Sequence, residues 1–155
     1  MAERDFEELL RLFNKHRVRY CIVGAYAVAF HGRPRYTKDI DILVEPAIEN
    51  GRKIVAALKA FGFDALKVGP EDFAQAGRFV QLGYEPVRID LLTAIEGCSF
   101  EQVWTHRVHG RYGRQRVWFI GHDELVRNKQ LLGRRQDRVD LEILRPKKPS
   151  KKKKP

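Results

Sequence analysis

The chain has 155 residues, about one domain's worth, and its 43% hydrophobic and 32% charged content buries a core and excludes global disorder. No apolar run approaches the roughly 18 residues needed to cross a bilayer, and the start from Met1 to Asp5 has no signal-peptide core behind it. Two cysteines, Cys21 and Cys98, are too few and too far apart for a disulfide framework or a zinc site, so the expectation is a soluble cytoplasmic protein with no membrane partner. The formal net charge of +10 points toward nucleic acid, but seven of the cations fall in residues 145–155, which leaves +3 for residues 1–144. Residues 146–155 have no apolar side chain except proline and predict a disordered basic tail. It is either a solubilising appendage or a non-specific holder of phosphate backbones.

In chain order, Phe6, Leu9, Leu10 and Phe13 recur at helical spacing and predict an amphipathic helix over 3–16. Tyr20 to Val23 reads as a short apolar strand ending at Gly24, and residues 25–31 as a helix of small residues broken at Gly32-Arg33-Pro34. Asp39 to Val44 is the next strand, and Pro46 opens a helix to about Phe61 with Ile54, Val55, Leu58 and Phe61 inward. Gly69-Pro70 marks a turn, with a helical turn over 71–76. Strands over 78–82 and 87–92 form a hairpin through Gly83-Tyr84-Glu85-Pro86. A helix over 99–106 precedes a strand at 117–120, and two helices follow, 123–132 stopped by Gly133, and 136–144. No repeat or long linker divides the chain. The expected class is α+β with a mixed sheet flanked by helices.

The strongest chemical signal is Asp39-Ile40-Asp41-Ile42. In a strand, residues i and i+2 share a face, so both carboxylates point one way and both isoleucines the other. Such a pair is either an ordinary solvated face or a set of hard oxygen ligands for Mg²⁺. Asp90, within Val87-Arg88-Ile89-Asp90-Leu91-Leu92, repeats the pattern on a strand able to pair beside the first. Arg88 shares its face, so a simple ion pair is the plain alternative. Three carboxylates could instead hold two metal ions for phosphoryl transfer. Upstream, the strand–Gly24–helix junction offers first-turn N–H groups of the kind that cradle phosphate.

The run from Gly24-Ala25 through His31-Gly32-Arg33-Pro34-Arg35-Tyr36-Thr37-Lys38 to Asp39-Ile40-Asp41 resembles the polymerase-β-type nucleotidyltransferases. It is similar, more narrowly, to the group typified by GG-x-A-x-x-x-H-G and R-x-T-x-D-I-D. That group includes AbiEii-type toxins and minimal nucleotidyltransferases of toxin–antitoxin systems. Lys129, Gly133, Arg134, Asp137 and Asp140 are spaced like the helical element that follows the catalytic sheet in these relatives. The first motif departs from the frequent Gly-Ser, since Ala25 keeps the amide and lacks the hydroxyl.

The resemblance implies a polymerase-β-like nucleotidyltransferase domain over 1–145, with 123–144 as a helical pair packed on it. It implies Asp39, Asp41 and Asp90 as catalytic residues and as ligands of two Mg²⁺ or Mn²⁺ ions. Gly24, Ala25, Arg35 and Lys129 would bind the nucleoside triphosphate. The acceptor would be an RNA end, a protein hydroxyl or a small molecule, with a toxin–antitoxin protein as a further partner. The rival expectations are a nucleotide- or RNA-binding module without turnover, and an interaction protein whose acids serve an interface. On residue spacing alone, Lys129 could equally snorkel from an apolar face, Arg35 could pair with Asp39, and His31 could cap helix carbonyls. Thr37 would order its loop, and Trp104 and Trp118 would fill the core.

Overall fold

The computed structural model describes residues 3–35, 37–63, 67–84 and 87–145. Helix α1 (Arg4–Lys15) buries Phe6, Leu9, Leu10, Leu12 and Phe13 along one stripe, the period that defines an amphipathic helix. Strand β1 (Tyr20–Val23), buried at every position, runs directly into α2 (Gly24–His31). Strand β2 (Asp39–Val44) follows, and then α3 (Ile48–Phe61), which ends at Gly62 in a left-handed conformation. This helix starts two residues beyond the expected Pro46, because the preceding chain is still tied to β1. The Glu45 amide donates to the Arg19 carbonyl, and the buried Asn50 side chain bridges Arg19 and Glu45 backbone groups.

A short 3₁₀ turn (Pro70–Phe73) leads to the hairpin of β3 (Phe79–Tyr84) and β4 (Val87–Leu92). The hairpin is antiparallel as expected, and its turn residues Glu85 and Pro86 lie outside the described residues. Helix α4 (Phe100–Thr105) is capped by the Ser99 hydroxyl, with Gln102 reciprocating. The sequence pattern misses β5 (Val108–Tyr112), which pairs antiparallel with β6 (Gln115–Phe119). Helices α5 (His122–Leu132) and α6 (Arg135–Leu144) end the described chain, separated by Gly133 in the left-handed region. The expected tail, 146–155, lies outside the described residues. Among those described, no helix is long and apolar enough to cross a membrane.

The six strands form one mixed sheet in the order β3-β4-β2-β1-β6-β5. β1 is antiparallel to β2 and parallel to β6, while β2 is parallel to β4. One face is apolar and meets the helices: Tyr20 packs on Phe13, Tyr112 on Phe6, and Phe119 stacks on Phe30 at 4.2 Å. The pleat sends the alternate residues to the opposite face, Asp39, Asp41 and Asp90 among them.

Candidate active site

In β2, Ile40 and Ile42 are fully buried in the core, so the intervening Asp39 and Asp41 must project from the other face. The parallel register sets Asp41 directly beside Asp90, and Asp39 beside Arg88. Taking two carboxylates out of water next to each other disfavours their charges. Burial, followed by the charge and hydrogen bond of Asp90 and the charge of Asp39, pushes the Asp41 carboxyl up to about 6. The Lys129 ammonium acts in the opposite direction.

Arg88 relieves part of this repulsion. Its Nη2 lies 2.6 Å from Asp39 Oδ2, and its Nε 3.7 Å from Asp90 Oδ1. The ion-pair alternative read from the sequence is thus present, with Asp39 as the closer partner. The other Asp39 oxygen, Oδ1, is buried and has no hydrogen bond. A buried acceptor without a donor is costly, and a cation is one remedy. Asp41, Asp90 and Asp39 Oδ1 together are hard oxygen donors of the type that suits Mg²⁺ or Mn²⁺. They are not drawn into a ready cage: among the described residues no three His, Cys, Asp or Glu side chains stand in a metal-holding group. Arg88 engages the third carboxylate instead.

Gly24 faces these acids at the β1–α2 junction. Its φ is +68°, and a Cβ there would stand 2.3 Å from Asp41 Oδ2, so no other residue fits without moving the carboxylate. No side chain caps α2, which leaves the first-turn N–H groups around Gly24 and Ala25 without intrahelical acceptors. A cleft of about 430 Å³ opens here, lined by Gly24, Asp41, Leu92, Asn128, Lys129 and Arg134.

The last three come from the C-terminal helical pair and the Gly133 turn. Lys129 does not snorkel to the edge: it is 5% exposed, with Nζ 3.1 Å from Asp137 Oδ1 and 2.9 Å from Asp140 Oδ2. Both carboxylates are fully buried. Asp137 also accepts from Arg134, at 3.1 Å from the backbone N–H and 2.6 Å from Nε, and so closes the first turn of α6. Burial alone would raise the Asp137 carboxyl, but the Arg134 and Lys129 hydrogen bonds override it and hold it down to about 2.

Arg35 pairs with Asp140 rather than with Asp39, its Nε 2.7 Å from Oδ1. The loop before β2 is therefore fastened to α6. Thr37 orders the approach to β2, its hydroxyl accepting the Asp39 N–H and donating to the Asp39 carbonyl. His31 Nε2 lies 2.6 Å from the Ile120 carbonyl beyond β6, not on its own helix. The structure thus brings together Gly24, Asp39, Asp41, Asp90 and Lys129. It adds Arg88, Arg134, Asp137 and Asp140 to the surroundings.

No family model and no curated protein matches the chain. Solved structures match over most of its length. A Thermotoga maritima protein assigned as a nucleotidyltransferase superimposes with a TM-score of 0.60 at 12% identity, over 90% of this chain and 89% of that one. The lincosamide antibiotic adenylyltransferase LnuA, bound to lincomycin, gives 0.54 at 15% identity, over 93% and 96%. The factor ANT(2'')-Ia, in complex with adenylyl-2''-tobramycin, gives 0.56 at 11% identity, over 90% and 84%. The fold is that of the polymerase-β-like nucleotidyltransferases.

Proposed function

We propose that this chain is a metal-dependent nucleotidyltransferase, which moves a nucleotidyl group from a nucleoside triphosphate to an acceptor hydroxyl or phosphate. The observation that carries the reading is the register of β2 with β4, which sets Asp41 beside Asp90 opposite the Gly24 backbone. The acceptor oxygen would form a bond to the α-phosphorus while the bond to pyrophosphate breaks, and Asp90 would take the acceptor's proton. The amides of Gly24 and Ala25 would cradle the outer phosphates. Lys129 and Arg134, lining the same cleft, would add positive potential there. Asp39, Asp41 and Asp90 would hold Mg²⁺ or Mn²⁺, which when bound supplies charge neutralisation for the triphosphate.

Incubating the chain with each labelled triphosphate, Mg²⁺ or Mn²⁺, and in turn RNA, protein and small-molecule fractions of a lysate tests this reading and identifies the acceptor. Transfer should need the metal and fall at least about 100-fold in Asp41→Asn. No labelled product with any acceptor would reject it. A second reading, nucleotide binding without turnover, draws on the Arg88–Asp39 pair, which occupies one prospective metal ligand. Metal-dependent triphosphate binding in the absence of transfer would select it.

A further inference from the structure

The face that carries the acids holds a second charged surface at the opposite side of the sheet. From Gln102 to His122 the chain has four arginines and three histidines and no acid. Most of this segment is the β5–β6 hairpin, and β5 is the edge strand. Val23 pairs with Asp41 and Ile22 with Phe119, so Phe119 turns to the helices and its neighbour Trp118 to the side of Asp41. His109 lies opposite Trp118, and Arg111 opposite Arg116, on this same face.

Planar groups stack across it. The Arg19 guanidinium lies 4.7 Å from the Trp104 ring, and Arg107 lies 3.7 Å from Trp104 and 4.2 Å from Trp118. The exposed His109 ring ends the series, 3.9 Å from Trp118. The two tryptophans, expected in the core, are half-buried and pack against it from this face. The nearby carboxylates are otherwise engaged: Glu45 pairs with Arg19, Glu124 with His106, and Glu7 accepts the Arg114 backbone N–H. Arg111 and Arg116 make no ion pair among the described residues, although like charges opposed across a strand pair are destabilising.

We propose that this face binds a single-stranded polynucleotide, with phosphates on Arg111 and Arg116 and a base laid on the outer side of His109. Arg111 and Arg116 are exposed and make no ion pair among the described residues, so their N–H edges are open to phosphate oxygens. A stack that ends in an exposed ring has a place for a nucleobase, which an acidic peptide would leave unused. The inference goes beyond nucleotidyl transfer and does not depend on it.

Fluorescence anisotropy of labelled 12-mer RNA and DNA strands with the full chain tests it, with poly-glutamate as competitor. Arg111→Gln combined with Arg116→Gln should weaken binding at least about 10-fold at physiological salt. It should also flatten the log–log salt slope by about 1.4, as loss of two phosphate contacts to a single strand requires. His109→Ala should weaken binding with little change in slope. Triphosphate binding should be unchanged in both; the His109→Ala variant should melt like the parent, and the double arginine variant at or slightly above it, since a like-charge pair is removed. A preference for RNA or for DNA assigns the strand type. Parent-like affinity in the double variant, or displacement of the strand by poly-glutamate at equal charge, would overturn the proposal.

Discussion

Gly24 and Asp41 are in such close approach that a single methylene between them has no room: a Cβ on Gly24 would stand 2.3 Å from Asp41 Oδ2. Gly24→Ala therefore has to displace the carboxylate or unwind the start of α2, at a left-handed φ that alanine itself resists. The substitution should destabilise by more than about 1 kcal/mol and eliminate metal-dependent triphosphate binding measured by calorimetry. Binding equal to the parent's would separate Gly24 from the site.

The Asp41 carboxyl, raised from 3.8 to about 6, is a group whose protonation favours the folded state. Its contribution is full below pH 3.8 and is lost as the pH rises through about 6. In metal-free buffer the melting temperature should thus gain from this group on going from pH 7 to pH 5, by an amount worth about 1.3 kcal/mol. Asp41→Asn should remove that gain and leave the protein at pH 7 as stable as the parent or more so. Asp90→Asn should reduce the gain too, because it removes the charge and alters the hydrogen bond that help raise the Asp41 carboxyl. Titration of Mg²⁺ with a triphosphate into parent and variants should give heat only with the parent. Equal heats in all would sink the site.

Lys129 is the ammonium for two fully buried carboxylates, so Lys129→Ala is not the benign change that a phosphate-binding lysine at the cleft mouth predicts. Removing it leaves Asp137 with Arg134 and Asp140 with Arg35 but takes away the ammonium they share, and breaking a buried pair costs up to about 3–5 kcal/mol. Thermal unfolding should register a loss of that size at pH 7. A loss under about 1 kcal/mol would mean that Arg35 and Arg134 suffice.

Asp137, held at about 2, contributes in the reverse direction. Its stabilisation is present above the ordinary carboxylate range and disappears as the pH falls through about 2, an effect of about 2 kcal/mol. Asp137→Asn should lower stability at neutral pH and flatten the acid limb of the stability curve. An unchanged acid limb would show that other carboxylates set it.

The period-two pattern makes the shared face of Asp39 and Asp41 legible in sequence, and the isolated acid of Val87–Leu92 makes Asp90 a candidate. That Asp41 stands beside Asp90 is not legible, because strand order is a non-local property. The partners of Lys129 left a signal that spacing can reveal. Asp137, Asp140 and Leu144 share the buried side of α6 while Val139 is 49% exposed, an inverted pattern that calls for a buried cation. β5 escapes detection because its open-face residues are His109 and Arg111, and because Gly110 stands where a side chain would belong. A Cβ at Gly110 would come within 2.6 Å of the Phe119 ring and 2.7 Å of Phe30, so the stacked phenylalanines occupy that space. Arg35 reads as a nucleotide ligand or a partner of Asp39, since nothing local announces Asp140.

The Arg35–Asp140 contact joins a loop near the start of the chain to the last described helix. During synthesis from the N-terminus, β1, β2 and β4 emerge with all three acids well before Asp140 exists. The parallel pairing of β1 with β6 likewise waits for residues about a hundred positions on. A nascent chain therefore carries an open edge on β1 and an unfastened loop before β2 until β6 and α6 are made. The finished helix closes the order of assembly: the loop leading to the acids is fastened only once Asp140, about a hundred residues after Arg35, has been made.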